Sequence, residues 1–177
     1  MFDKQYRFHG KHALYVDKLT AVFDDKSKAK LFERNIDVYI NAPLIGFLYR
    51  RMAETDNTKN PATQQVYNQN IMGDRVIYSQ DDLMFNFRLI MLLDTKYEPD
   101  EEKRINKAFR HMGEDESDEK RFDSYVRGGV EVLYEKLIES AVSADDYVNN
   151  LYDFLEDFNA KFNEEVQTNE ILKLCIK

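Results

Sequence analysis

The chain is poor in cysteine, glycine, proline and long apolar runs, and each shortage excludes a class of protein. One cysteine, Cys175, among 177 residues excludes an internal disulfide and a cysteine-rich zinc module. Six glycines and three prolines are too few for an all-β fold rich in tight turns. No apolar run reaches the roughly 20 residues of a membrane-spanning helix, and the N-terminus, MFDKQYRFHGKH, has no apolar leader core. We therefore expect a cytoplasmic protein in a reducing compartment.

Motifs of the common active sites are missing as well. The chain has no phosphate-binding loop, dinucleotide-binding glycine pattern, H-E-x-x-H, EF-hand loop or G-x-S-x-G elbow. His9 and His12 lie three residues apart, but His111 is the one other histidine, so a metal site would lack ligands. Asp94-Thr95-Lys96 has the D-x-K form of some metal-dependent nucleases, yet it ends a predicted helix. We predict no catalytic residue, metal or cofactor.

The most apolar stretch of the chain runs from Leu83 to Leu93 and is interrupted only by Asn86 and Arg88. At about 100° per residue, these two polar residues do not share a face of a helix. The pattern predicts a buried central helix over about 82–95. Arg88 must then pair with a carboxylate, or else lie in a groove that becomes the first candidate site.

Helical periodicity recurs along most of the chain and predicts an all-α, single-domain bundle of six or seven helices over residues 1–177. Within the longest of them, Arg127-Gly128-Gly129 indicates either a close helix crossing or a kink. Pro43 is expected in the first turn of a new helix. The terminal EILKLCIK is expected to dock as a helix turn or an edge strand. The predicted helices cover 11–23, 27–40, 43–51, 82–95, 99–112, 117–140 and 143–162.

Residues 54–80 are rich in Asn, Thr, Gln and Asp and form a long irregular insertion in this scheme. Within 64–79, Val66-Tyr67 and Val76-Ile77-Tyr78 flank a glycine-containing turn, a pattern that permits a small β-hairpin. Long loops in compact domains are often functional. A recognition loop would be expected here.

The net charge of −8 is unevenly distributed. Residues 1–112 carry a net charge of +2 and residues 113–177 a net charge of −10. One interpretation is a solvated acidic half. The other is an acidic face for a basic partner, with a more basic face elsewhere.

Several charged residues at helical spacing are candidate contacts. They form two basic ridges, a basic pair at a helix end and an acidic docking face on the last helix. A solvated helix face is the alternative interpretation of each ridge, and a favourable helix-dipole interaction explains the pair. The residues are Lys26, Lys30 and Arg34; Lys103, Lys107 and Arg110; Arg50 and Arg51; and Asp153, Glu156 and Asp157.

Residues 32–57, FERNIDVYINAPLIGFLYRRMAETDN, resemble a segment of small helical proteins encoded beside bacterial DNA-phosphorothioation systems. The matching residues are Asn41-Ala42-Pro43, Gly46-Phe47 and Arg50-Arg51, and the chain departs from the pattern in having a proline inside the turn. The resemblance implies an accessory protein of a DNA-modification or phage-defence operon, without a catalytic residue.

These patterns predict a non-catalytic subunit or adaptor that docks on a larger assembly, with a protein partner and no membrane or small-molecule substrate. Two alternatives stay open. The basic ridges would suit direct binding of nucleic acid. The acidic helix would suit a decoy that occupies the basic nucleic-acid groove of another protein.

Overall fold

The computed structural model describes residues 1–162, and the predicted docking of EILKLCIK lies outside them. The prediction of a largely helical chain is confirmed. Two short antiparallel strand pairs accompany the helices, β1 with β4 and β2 with β3. In chain order the elements are β1 (Tyr6–His9), α1 (Gly10–Leu19), β2 (Val22–Asp24), β3 (Ala29–Lys30), α2 (Asn35–Leu48), β4 (Asn68–Ile71), α3 (Gly73–Tyr78), α4 (Gln80–Leu93), α5 (Glu101–Ile105), a π-helical turn (Asn106–Arg110), α6 (Glu116–Leu137) and α7 (Ala144–Phe162).

The helices α2 and α6 cross with their backbones in contact. A Cβ atom on Gly129 would overlap the carbonyl oxygen of Ala42, and one on Gly46 would overlap that of Tyr125. Gly128 lies equally close to the carbonyl of Arg51, just beyond α2. Of the two interpretations of the glycine pair, the close crossing is therefore the one the structure shows.

The predicted apolar stripe of α6 is confirmed. Asp115 caps this helix by accepting a hydrogen bond from the amide of Ser117 at 2.8 Å, and the stripe then recurs every three or four residues toward the core. All six members are buried: Phe122, Tyr125, Val126, Val130, Leu133 and Leu137.

The helix predicted to be the buried centre, α4, has only one buried face. Leu83, Phe87 and Ile90 are fully buried, but Phe85 is 62% exposed and Leu93 55% exposed. Asn86 is buried because its side-chain amide donates to the carbonyl oxygen of Ile40 at 2.7 Å. The helix predicted over 82–95 is therefore present as α4, but the prediction that it is a buried central helix is wrong, because one side of it stays exposed.

The predicted helix over 27–40 begins only at Asn35. The carboxylate of Asp24 accepts hydrogen bonds from the backbone amides of Lys26 and Ser27 at 3.0 and 3.2 Å, which closes a turn between β2 and β3. Ser27 is thus part of an Asx turn and caps no helix. The helix predicted over 11–23 likewise ends at Leu19, because β2 starts at Val22.

Proline 43 lies inside α2 and starts no new helix. The helix ends with Arg50 in the left-handed conformation (φ 54°) while the amide of Arg51 donates to the carbonyl oxygen of Gly46 at 2.8 Å. This is the Schellman geometry, with arginine at a position that usually holds glycine.

The hairpin predicted within 64–79 is also wrong. Strand β4 pairs with the N-terminal strand β1 in the register Tyr6↔Ile71 to His9↔Asn68. Val76-Ile77-Tyr78 lies in α3, where Val76 is buried and Tyr78 is 87% exposed. A single bridge, Lys59↔Val66, joins the two arms of the loop before β4.

We expect Gly129→Ala to destabilise the fold by about 2–3 kcal/mol or more, because the added methyl group meets backbone that cannot move aside. Gly73→Ala is the matched control, since its Cβ would lie 3.4 Å from the nearest atom. The free energy of unfolding from urea titration measures both. Equal effects of the two substitutions would contradict the close crossing.

Candidate interaction surfaces

The acid of the D-x-K sequence is occupied by structural contacts. Asp94 is 4% exposed and accepts hydrogen bonds from Arg121 Nε and the Tyr125 hydroxyl, both at 2.8 Å. Within residues 1–162, no group of three or more His, Cys, Asp or Glu side chains is arranged to hold a metal ion. The described part of the chain therefore offers no geometry for the nuclease interpretation.

The first basic ridge does not exist as a helix face. Lys26 lies in the β2–β3 turn, Lys30 in β3, and Arg34 immediately before α2. Lys30 is 3.7 Å from Glu33, and Arg34 pairs with Asp37 at 2.8 Å. Because the helix starts late, the four-residue spacing of these cations has no structural meaning.

The second basic ridge is divided between structural and exposed residues. Lys107 donates to Asp118 at 2.6 Å, and this aspartate is 1% exposed. Arg110 donates to Asn106 at 2.8 Å within the π-helical turn. Lys103 is exposed and makes no ion pair within residues 1–162. The ridge is thus not one contact surface, because Lys107 neutralises a buried carboxylate.

The basic pair after α2 is divided in the same way. Arg51 pairs with Glu135 at 3.0 Å and with Glu131 at 3.5 Å. Arg50 is exposed and has no ion pair in the described part of the chain. Only Arg50 remains available to a partner.

Glu131 is the centre of an ion network that the sequence did not predict. It is 8% exposed and accepts from Lys11 Nζ at 2.8 Å and from His12 Nε2 at 3.1 Å. Burial alone would raise the pKa of Glu131, but the hydrogen bonds from Lys11 and His12 and the positive charge of Lys11 outweigh it and lower that pKa. Burial lowers the pKa of His12, so its imidazole is held neutral. This network fixes α1 to α6.

Arg88 makes no ion pair within residues 1–162. Its guanidinium carbon lies 5.6 Å from the centre of the Phe109 ring, a cation–π contact, and its Nε is buried without a hydrogen-bond partner. The expected carboxylate is absent from the described residues. Arg88 is not among the residues that line the clefts beside Asp123, Asp94, Lys107, His12 and Arg34. Its role as a groove residue stays a prediction.

The last helix, α7, buries little of its surface. Phe154 is buried, while Tyr147 stacks on Phe23 with ring centres 5.0 Å apart. A second apolar stripe with helical spacing faces outward, and its members are Val148 (56% exposed), Leu151 (37%), Tyr152 (61%) and Leu155 (56%). We call these four residues the α7 stripe.

Carboxylates border the α7 stripe on one side. The Tyr152 hydroxyl donates to Glu156 at 2.9 Å, and the exposed Asp145 lies beside Tyr152 on the helical wheel. Two predicted members of the acidic face lie elsewhere: Asp153 is about 100° around the helix from Tyr152, and Asp157 points to α6, 3.4 Å from Lys136. The acidic edge of the α7 stripe is therefore Asp145 and Glu156.

A cleft of about 370 Å³ lies between the N-terminal residues and α6, next to Asp123. Burial raises the pKa of Asp123 to about 6, against the opposing effect of the Arg127 charge. The cleft lining contains no histidine, cysteine or serine. Asp123 therefore has no such nucleophile beside it to activate.

Comparison with known proteins adds no functional information, since neither a family model, nor a curated protein, nor a solved structure matches the chain. Among the helices of residues 1–162, none combines the length and apolarity needed to cross a bilayer. The exposed surfaces of residues 1–162 are therefore the basis for proposing a function.

Substituting Lys107 tests whether it is structural. We expect Lys107→Gln to destabilise the fold by about 2–4 kcal/mol, because Asp118 would be left as a buried, uncompensated charge. Lys103→Gln should change the free energy of unfolding by less than about 0.5 kcal/mol. Indistinguishable unfolding curves for the two variants would restore Lys107 to the list of contact residues.

Substituting Asp123 should change stability in a pH-dependent way. Below pH ~4 the carboxyl group is protonated in both states, so wild type and Asp123→Asn should be equally stable. Above pH 6 the folded wild type must ionise a buried carboxyl group whose pKa is raised. We expect Asp123→Asn to be more stable there by roughly 1–3 kcal/mol. Asp153→Asn, on exposed helix surface, is the control, and an identical pH profile for both variants would contradict the prediction.

Proposed function

We propose that this protein is a non-catalytic docking subunit that presents the α7 stripe to a basic amphipathic helix of a larger assembly. The observation that supports the proposal is the exposure of Val148, Leu151, Tyr152 and Leu155 along one line of α7. A helix with both an inward and an outward apolar face is typical of a helix that packs on two sides.

The size of the α7 stripe is sufficient for binding. Full burial of a large apolar side chain contributes about 1.5–3 kcal/mol, and three of these four side chains are more than half exposed. A partner that covers them would gain several kcal/mol before the costs of association. Tyr152 is the side chain best suited to a central anchor, since tyrosine is enriched at binding hot spots.

The acidic edge favours a basic partner. Asp145 and Glu156 make no ion pair within residues 1–162, so their charge is uncompensated in the free protein. A second copy of α7 would bring like charges together, which opposes association. A helix with lysine or arginine beside its apolar stripe would satisfy both features.

The two alternative functions lack comparable support. Direct nucleic-acid binding was predicted from basic ridges, and Lys107 and Arg34 are engaged in ion pairs. A decoy for a basic groove would use the acidic residues Asp153, Glu156 and Asp157, of which Asp157 pairs with Lys136, and has no use for the apolar stripe. As the larger assembly we propose a bacterial DNA-modification or phage-defence complex, on the resemblance of residues 32–57 alone.

Photocrosslinking in cells of the natural source tests the docking site. We expect a benzophenone amino acid at position 152 to crosslink to a partner segment in which basic residues flank an apolar helical repeat. Leu155→Asp should abolish the crosslink and leave the free energy of unfolding within about 0.5 kcal/mol of wild type.

Ile77→Asp is the matched control, because Ile77 is 51% exposed on α3, away from α7. It should leave the crosslink intact. A crosslink that survives Leu155→Asp, or crosslinked peptides that are acidic, would contradict the proposal. Recovery of crosslinked nucleic acid would favour the direct-binding alternative.

A further inference from the structure

A second apolar groove, with a volume of about 380 Å³, lies where the C-terminal ends of α2 and α4 meet α6. Three large apolar side chains on its walls are partly open to solvent: Leu48 (36% exposed), Met52 (44%) and Leu93 (55%). Phe162, the last residue of α7, also lines the groove, but no member of the α7 stripe does. The groove and the α7 stripe are therefore different surfaces.

The charged side chains at the floor of the groove pair with each other. Asp94 accepts from Arg121 and from Tyr125, so its negative charge is compensated inside the protein. Burial, with the hydrogen bond to Asp94 as the next cause, raises the pKa of Tyr125 to about 12, so its phenol stays protonated at neutral pH. The one carboxylate of the described groove lining is thus already paired inside the protein.

The charges left over at the rim are positive. Arg50 and Lys96 line the groove, are exposed, and make no ion pair within residues 1–162. With Arg121 and Asp94, the charged residues of the lining have a net charge of +2. Arg50 is held at the rim by the backbone geometry that ends α2 (φ 54°).

Apolar walls beside two uncompensated cations fit a peptide better than a nucleic acid. A nucleic-acid site needs a track of cations for successive phosphates and exposed aromatic faces for stacking. The lining contains three aromatic rings, but Tyr125 is buried and Phe47 and Phe162 are half-buried. Leu48, Met52 and Leu93 supply the exposed apolar contacts, and two cations suffice for two carboxylates.

We propose that this groove binds a short acidic peptide whose apolar side chains pack on Leu48, Met52 and Leu93 and whose carboxylates pair with Arg50 and Lys96. The site would take a partner segment of the opposite charge to the one that fits the α7 stripe. With both surfaces in use, the protein would join two partners, an activity that goes beyond docking at α7.

Fluorescence anisotropy with the full-length chain tests the groove. The probe is a labelled short peptide that alternates glutamate with leucine and phenylalanine; the comparison peptide carries lysine in place of every glutamate. We expect binding of the acidic probe only, weakened by salt and reduced about tenfold or more by Arg50→Asn with Lys96→Gln. Asparagine is chosen because it tolerates the left-handed conformation of residue 50.

Lys59→Gln with Lys103→Gln is the control, since both cations are exposed and lie outside the groove. This pair should bind the acidic probe as wild type does, and Leu93→Asp should not bind it. Equal binding of the lysine peptide, or no loss with Arg50→Asn and Lys96→Gln, would overturn the proposal. So would absence of any probe binding, or tighter binding of single-stranded DNA.

The chain's own residues 163–177 are a further occupant to test, since their sequence carries Glu164, Glu165 and Glu170 before a run of apolar residues. A synthetic peptide of residues 163–177 is added in trans to the full-length chain with the labelled probe. Displacement weaker than that by unlabelled acidic probe supports an external partner. Displacement that is equal or stronger would assign the groove to this segment and overturn the proposal of an external one.

Discussion

The backbone contact between α2 and α6 is the constraint on which the rest of the structure depends. Gly46 and Gly129 remove the side chains that would hold the two helices apart. Because the helices are this close, the chain that leaves α2 passes over α6, and Arg51 comes within reach of Glu131 and Glu135. The same crossing places Arg50 and Met52 at the mouth of the groove above Arg121. The crossing of α2 and α6 thus determines both the packing of the scaffold and the position of a candidate site.

The buried ions follow from the same arrangement. Glu131 is on the face of α6 next to the crossing, so it is enclosed and needs compensation from Lys11, His12 and Arg51. Asp118 near the start of α6 is enclosed likewise and takes Lys107. Each buried carboxylate therefore removes cations from the surface. A cation in this chain can be assigned to a partner only after the internal carboxylates have been satisfied.

Local signals in the sequence were enough for α6 and α7 but not for α2, which was predicted as parts of two helices. The stripe of α6 and the start of α7 after Ser143 depend on residues within a few positions of each other. The pairing of β1 with β4 joins residues 59 to 65 positions apart, and no local pattern specifies it. The helix predicted from Ser27 failed because the chain turns between β2 and β3 there: the Asp24 carboxylate accepts from the amides of Lys26 and Ser27, and Lys28 takes the left-handed conformation (φ 58°). The helix α4 is apolar beyond its buried face, and periodicity alone could not show that Phe85 and Leu93 would stay exposed.

The same distinction explains why charge spacing was a poor guide to the candidate surfaces. Lys103 and Lys107 are four residues apart, yet Lys107 is bound to Asp118 and Lys103 has no ion pair in the described residues. The difference is due to Asp118, which is 11 positions along the chain from Lys107 and is brought close to it by the fold. Arg50 and Arg51 are adjacent in sequence, yet Arg51 pairs with Glu131 and Glu135 while Arg50 has no ion pair in the described residues. The proposed surfaces are accordingly defined by charges that the fold leaves uncompensated beside apolar side chains that it leaves uncovered, and both conditions are properties of tertiary structure.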